Sequence, residues 1–174
     1  MESRVTYENP WLRVREDSVL RPDGSPGIYG VVEVRAPAVF VVPVTAAGEI
    51  VLVEVDRYAI GQVSLEVPAG GAGGEDLHVG ARRELREETG LAADSLVDLG
   101  PVYSLNGVAD APGRVFLATG LHAVGGAEQQ VEGISGVRTL PIPDLLRLIA
   151  AGGITDNESL GALLLALVHL GRVG

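Results

Sequence analysis

A single helix-forming segment, residues 76–89, separates two groups of strand-like segments, and this order constrains the fold more than any other feature. Gly90 follows the helix at the position where a left-handed residue commonly ends it. Runs rich in β-branched residues predict strands on both sides, at 38–44, 50–55, 63–67, 96–104, 114–120 and 137–140. Two more helices are predicted, at 142–150 and from Asp156 or Asn157 to about 170. This order predicts an α+β fold, an α/β/α sandwich around a mixed β-sheet.

The N-terminal part is predicted to form a β-hairpin over residues 11–34, because two strand-like segments flank a Pro- and Gly-rich turn. A second hairpin is predicted over residues 38–55, with its turn at Ala46-Ala47-Gly48. No segment is long enough to serve as a linker. We therefore expect one domain, in which an N-terminal hairpin region (1–36) precedes the core (37–174).

The charge and the missing residue types exclude several functions. The chain has 174 residues and a formal net charge of -10, which disfavours nucleic acid or anionic membranes as partners. It contains no Cys, so disulfides, thiolate metal sites and a Cys nucleophile are excluded. All 13 basic residues are Arg, so Walker-type and Schiff-base lysine chemistry are excluded too. Since the longest apolar stretch, residues 160–170, is too short to span a bilayer, we expect a soluble cytoplasmic protein.

The predicted helix at 76–89 carries three acidic residues on one face. Glu84, Glu87 and Glu88 stand at i, i+3 and i+4, beside an apolar stripe that includes Leu85. If that stripe packs on the sheet, the carboxylates lie at its rim, where a hard divalent cation relieves their repulsion. Arg83, one turn before Glu87, is placed to orient it. The alternative is a solvated acidic helix face with i, i+4 ion pairs.

The residues around this face resemble the signature of the Nudix hydrolases. That signature is a Gly, five residues, a Glu, seven residues, and then Arg-Glu-aliphatic-any-Glu-Glu-any-Gly-aliphatic. Glu75 and the run from Arg83 to Leu91 match it. One departure is visible: four residues separate Gly70 from Glu75, so either the glycine-rich loop is one residue short, which we favour, or Ala69 takes the place of the signature Gly. The resemblance implies a Nudix-type sandwich.

By resemblance, the metal ligands are Glu84 and Glu88, with help from Glu87 and from the backbone carbonyl of Ala69. The implied cofactor is Mg²⁺, with Mn²⁺ as a substitute. The family's activity is hydrolysis of a nucleoside diphosphate linked to another moiety. Glu75 is expected to be structural, bonded to Arg83 or to the loop.

The lead-in Asp56-Arg57-Tyr58, the run Leu65-Glu66-Val67-Pro68-Ala69-Gly70 and the ending 153–157 resemble the branch that hydrolyses ADP-ribose and other nucleoside diphosphate sugars. In that branch the general base is a Glu on a loop before the last sheet strand. Glu132, and secondly Glu128, are the candidates here.

The same resemblance suggests Arg57, Glu66 and Asp110 as substrate contacts, Asp110 because the neighbouring Ala111 stands where relatives often carry an acid. It also implies a homodimer, since the N-terminal hairpin of the branch packs across a two-fold axis. Two alternatives remain open: a Nudix-fold sensor that binds a nucleotide sugar without hydrolysing it, and an N-terminal hairpin that folds back onto its own sheet instead of forming a dimer.

Overall fold

The computed structural model describes residues 2–173. Its eleven strands and three helices follow the chain in this order: β1 (Ser3–Glu8), β2 (Leu12–Leu20), β3 (Pro26–Val34), β4 (Ala38–Pro43), β5 (Glu49–Arg57), β6 (Gln62–Glu66), β7 (Ala69–Gly71), α1 (Leu77–Thr89), β8 (Leu91–Tyr103), β9 (Ala109–Asp110), β10 (Pro112–Ala123), β11 (Ile134–Pro141), α2 (Ile142–Ala150) and α3 (Asn157–His169).

The core contains two sheets with helices packed against them. The strands β7-β4-β10-β8 form one mixed sheet, and β11-β5-β6 form a second, antiparallel one. Side chains of β4 alternate between the faces: Val39 and Val41 pack with α1, whereas Phe40 and Val42 pack with α2 and α3. Because both faces are covered, β4 is buried along nearly its whole length. This arrangement confirms the predicted α+β sandwich.

Helix α1 begins and ends as the sequence predicts. The carboxylate of Asp76 accepts a hydrogen bond from the His78 amide, and Gly90 closes the helix with a φ of 72°. Ala81 and Leu85 are completely buried against the β4 sheet. This packing fixes the rotation of the helix and therefore the direction of its acidic face.

The predicted second hairpin is wrong. β4 and β5 are consecutive, yet they pair with different partners and lie in different sheets. In the described chain, a bridge between Val44 and Ile50 and a turn hydrogen bond from the Thr45 amide to the Glu49 carbonyl link them where the chain turns at residues 46–48, and the ladder goes no further. Both strands are apolar on both faces, so each is covered by other elements rather than by its neighbour in sequence.

The N-terminal residues form a separate small sheet in the order β1-β2-β3-β9. The predicted hairpin is present as β2 and β3, which pair from Leu12–Val34 to Leu20–Pro26. Strands β1 and β9 extend it on either side and were not predicted. β9 has two residues and pairs with β3 in parallel, a connection that no local sequence pattern indicates.

Candidate active site

Three carboxylates of α1 are buried, which is rare for acidic side chains. Glu84 and Glu88 are each 5% exposed and Glu87 is 9% exposed. They lie on one side of the helix beside the packed stripe, as the spacing predicts. The interpretation of this segment as a solvated acidic face is therefore wrong.

Arg83 holds this cluster together. Its guanidinium lies 2.8 Å from Glu84 and 3.0 Å from Glu87, and its Nε donates to Glu75 at 3.3 Å. It also donates to the Gly71 carbonyl at 2.8 Å, which ties the helix to the glycine-rich loop. Glu75 therefore braces Arg83 from the start of the helix, the structural role implied by the resemblance.

The end of β6 and the start of β7 lie directly over the carboxylates. The Ala69 amide donates to Glu88 at 3.1 Å. A Cβ on Gly70 would lie under 3.0 Å from all three carboxylate atoms of Glu84, so only glycine allows this approach. The segment around Ala69 is thus in contact with two of the three acidic side chains.

Burial raises the pKa of two carboxyl groups of the cluster. It raises the pKa of Glu88 to about 8, against the opposing effect of the Ala69 amide, and the neighbouring Glu84 adds to the rise. Burial also raises the pKa of Glu84, although Arg83 opposes this. A nearby positive charge would therefore favour the ionised form of these two carboxyl groups.

The donor set fits a hard divalent cation. Within residues 2–173 no group of three or more His, Asp or Glu side chains has a geometry that would hold a metal ion as it stands. The carboxylates contact Arg83 and the Ala69 amide instead. Yet the cluster offers several oxygen ligands with excess negative charge, which Mg²⁺-type cations prefer. To bind such a cation, the side chains of Glu84 and Glu88 would rotate away from Arg83 and the Ala69 amide.

A consequence is that the metal-free protein should lose stability as pH rises from about 4.5 to about 8. The folded state binds the Glu88 proton more tightly than the unfolded state does, so the free energy of unfolding falls across this window and levels off above it. Urea unfolding with a chelator at several pH values measures the slope. The Glu88→Gln variant should show a flatter profile, and an equal slope in both proteins would contradict the assignment.

Arg57 and Glu66 form a second charged group next to the cluster. Two hydrogen bonds join them, at 2.9 and 2.6 Å, and Glu66 is 4% exposed. The hydrogen bonds that Arg57 donates to Glu66 are the main reason that the pKa of Arg57 is raised, and the Glu88 charge contributes. Both oxygens of Glu66 are thus used by Arg57, whose own side chain is 46% exposed.

The loop before β11 carries the two candidate bases and lies against the end of α1. The Glu128 amide donates to the Glu87 carbonyl at 2.7 Å, and the Gln129 side chain donates to the Glu88 carbonyl at 3.0 Å. Glu132 is exposed, yet its charge raises the pKa of both Glu84 and Glu88. The structure therefore brings Glu132 into electrostatic reach of the cluster.

Asp110 is placed differently. It lies on β9 in register with Glu33 of the N-terminal sheet. No hydrogen bond or ion pair joins it to the acidic cluster among residues 2–173.

Ser159 is a buried neighbour of the site that the sequence pattern did not indicate. Its hydroxyl, 1% exposed, accepts a hydrogen bond from the Val67 amide at 3.0 Å. It is therefore the contact through which α3 fixes the strand end beside Glu66. The only signal was its position three residues after Asp156, which caps α3 through the Ser159 amide.

Comparison with known proteins agrees with this geometry. A family model described as the NUDIX domain matches residues 34–160, and one described as the nucleoside diphosphate sugar hydrolase N-terminal domain matches residues 2–32. A crystal structure of an ADP compounds hydrolase shares the fold, with a TM-score of 0.85 over 99% of this chain and 95% of that one, at 19% identity.

Three curated relatives are similar in sequence. The ADP-ribose pyrophosphatase of Mycobacterium tuberculosis is 34% identical over 94% of this chain and 80% of its own length. The ADP-ribose pyrophosphatase of Bacillus subtilis is 32% identical, over 70% and 67% respectively. A CMP-5'-(N-acetyl-N-hydroxy-3-aminopropyl)phosphonate hydrolase of Streptomyces rubellomurinus is 28% identical, over 97% and 81%.

The chain therefore belongs to the Nudix family. Within that family it is a pyrophosphohydrolase of the ADP-ribose and nucleoside diphosphate sugar branch. Nudix hydrolases generally use divalent metal cations, which agrees with the donor set of the acidic cluster. Among residues 2–173, no helix has the length and apolar character needed to cross a membrane.

Proposed function

We propose that this protein hydrolyses the diphosphate bond of ADP-ribose or of another nucleoside diphosphate sugar, with Mg²⁺ as cofactor and Mn²⁺ as a substitute. The observation that carries the proposal is the buried acidic cluster of α1 next to the half-exposed Arg57. The names of the relatives from Mycobacterium tuberculosis and Bacillus subtilis support the choice of substrate.

In this proposal Glu84 and Glu88 hold the cation, with Glu87 and the Ala69 carbonyl assisting. When bound, the cation neutralises diphosphate oxygens and acidifies the attacking water. Arg57, held by Glu66, binds a diphosphate oxygen through its exposed side chain. Water attacks phosphorus, the bond to the bridging oxygen breaks, and the products are a nucleoside monophosphate and a sugar phosphate.

A substrate panel tests the proposal. ADP-ribose, ADP-glucose, UDP-glucose, CDP-choline and diadenosine polyphosphates are each incubated with the protein and Mg²⁺, and the phosphate products are separated by chromatography. We expect the highest kcat/KM for an ADP-sugar, with AMP and the sugar phosphate as the products. A clear preference for CDP-choline or a dinucleoside polyphosphate would overturn the substrate choice and leave the reaction class intact.

For the general base we propose Glu132, which takes a proton from the attacking water. Glu132→Gln should lower kcat by roughly a hundredfold or more, because general base catalysis contributes on that order. The affinity for Mg²⁺ should change little, since Glu132 is not a proposed ligand. Glu128→Gln, on the same loop, is the matched control. If Glu128→Gln loses activity and Glu132→Gln does not, the role belongs to Glu128.

We further propose a homodimer formed through the N-terminal sheet. The cross-strand register places apolar side chains on one face of that sheet, among them Tyr7, Leu12, Val14, Leu20, Ile28, Val32 and Val34. Leu20 is 66% exposed and Ile28 is 70% exposed in the single chain. An isolated sheet with such an apolar face is unfavourable in water, and a contact with a second copy across a two-fold axis would bury that face.

Light scattering across a dilution series measures the mass. The wild type should remain a dimer at micromolar concentration, and Ile28→Glu should shift it toward the monomer. Glu2→Gln, near the edge of the same sheet, is the control. A wild-type monomer with full activity would contradict the proposal.

A further inference from the structure

The carbonyl groups at the end of α1 accept hydrogen bonds from the loop that carries the candidate bases. The last carbonyls of an α-helix have no partner within the helix, so other groups must satisfy them. Here the donors come from residues 124–133, the segment between β10 and β11, which we call the base loop. The Glu128 amide donates to the Glu87 carbonyl at 2.7 Å, and the Val124 amide donates to the Gly90 carbonyl at 3.0 Å. The base loop is therefore part of the C-terminal cap of the helix that carries the acidic cluster.

Gln129 contributes a side-chain bond to this cap. Its amide group donates to the Glu88 carbonyl at 3.0 Å, and the side chain is partly buried. The carboxylate of the same Glu88 is a proposed ligand of the cation. One side chain of the base loop thus bonds the main chain of a residue whose own side chain lies in the acidic cluster.

Hydrogen bonds within the base loop connect Gln129 to Glu132. The Glu132 amide donates to the Glu128 carbonyl at 3.1 Å, and the Ile134 amide donates to the Gln129 carbonyl at 2.8 Å. Because these bonds restrict motion within the segment, its attachment to α1 also sets where Glu132 stands relative to the cluster.

On the other side of Glu132, strand β5 holds the base loop. The Asp56 amide donates to the Gly133 carbonyl at 3.0 Å, one residue before Arg57. This attachment is made by main-chain groups, which almost any residue supplies. The bond from Gln129 to α1 instead requires a side chain that is long enough and carries a donor. Gln129 is thus the residue at which the sequence determines how the base loop is attached.

We propose that Gln129 is a positioning residue for the hydrolysis, which sets the place of Glu132 relative to the cation ligands by bonding the Glu88 carbonyl. This inference rests on the proposed function, because Gln129 acts through the proposed general base. A misplacement of about 1 Å can cost about a hundredfold in rate. Loss of the bond should therefore lower kcat, whereas KM and the affinity for Mg²⁺ should change little.

Three variants test this role by steady-state kinetics. Gln129→Leu has a similar size but no donor, and it should lower kcat by about tenfold or more, with KM and Mg²⁺ affinity within about twofold of the wild type. Gln129→Lys keeps a donor, and its positive charge suits the carbonyl end of a helix, so most of the activity should return. Gln130→Leu, at the exposed neighbouring position, is the matched control and should keep the wild-type kcat.

Coupling to Glu132 separates positioning from general destabilisation. In the Glu132→Gln background, Gln129→Leu should lower kcat by less than about threefold, because the group that it positions is already absent. An equal loss in both backgrounds would overturn the proposal, as would a wild-type kcat for Gln129→Leu alone.

Amide hydrogen exchange followed by NMR, without substrate or Mg²⁺, tests the attachment itself. The Glu128 amide should exchange at least about tenfold faster in Gln129→Leu than in the wild type or in Gln130→Leu. Unchanged exchange in Gln129→Leu would overturn the proposal. A wild type that hydrolyses no nucleoside diphosphate derivative overturns the proposed function separately, and the exchange rates then still decide whether Gln129 holds the base loop on α1.

Discussion

Replacing Glu88 by Gln should lower turnover of the nucleoside diphosphate substrate by at least about a thousandfold, or about 4 kcal/mol in the activation barrier. Glu88 is the most strongly perturbed carboxyl of the cluster, since burial raises its pKa to about 8. The Gln side chain keeps the shape and can still accept from the Ala69 amide, which lies 3.1 Å away. It removes the negative charge that a divalent cation requires.

Steady-state kinetics at saturating Mg²⁺ measure this effect. The matched control is Glu49→Gln, since Glu49 lies at the opposite end of β5 from Arg57. The control should keep wild-type turnover. Near-full activity of Glu88→Gln, or of the wild type after complete removal of divalent ions, would show that Glu88 does not hold a catalytic cation.

Replacing Gly70 by Ala should weaken the affinity for divalent cations by about 10- to 100-fold, the range seen when groups around a metal ligand are disturbed. The added methyl group would overlap the Glu84 carboxylate and push it away from the Ala69–Gly70 segment, which carries the proposed backbone ligand.

The neighbouring glycine offers a close control. Nothing lies within 4 Å of a Cβ on Gly71, so Gly71→Ala should bind the cation as the wild type does. Cation affinity is measured by calorimetry, and thermal unfolding confirms that both variants fold. If the two variants have equal affinity, the collision with Glu84 has no functional consequence.

The sequence was sufficient to predict the acidic helix, because everything that defines it is local. The cap Asp76, the terminal Gly90 and the spacing of Glu84, Glu87 and Glu88 all fall within about four helical turns. Burial of Leu85 then decides the direction of the carboxylates. Hydrophobic periodicity predicts the position of such a helix and the direction of its faces reliably.

The contacts between distant segments were not predictable in the same way. The separation of β4 and β5 depends on which other strands cover them, and the two-residue strand β9 depends on a parallel pairing with β3. The bond from Val67 to Ser159 joins residues 92 positions apart. Such contacts follow from the register of strands and helices after packing, and single-sequence patterns do not encode that register.

Arg57 and Glu66 were predicted as site residues, but their pairing with each other was not. Both residues were expected to contact the substrate, and the resemblance assigned them separately. In the structure β5 and β6 pair so that Arg57 and Glu66 share a face with Ser64 between them. The guanidinium reaches back along this face to a buried carboxylate, which makes Glu66 a partner of Arg57.

The central proposal, hydrolysis rather than mere binding of a nucleotide sugar, is tested most directly by a ³¹P NMR time course. ADP-ribose is mixed with the wild-type protein and Mg²⁺, and a parallel sample contains a chelator. The two diphosphate signals should disappear only in the Mg²⁺ sample, replaced in equal amounts by the monoester signals of AMP and ribose 5-phosphate. Diphosphate signals that broaden on binding but persist with Mg²⁺ would show instead that the protein is a nucleotide-sugar sensor.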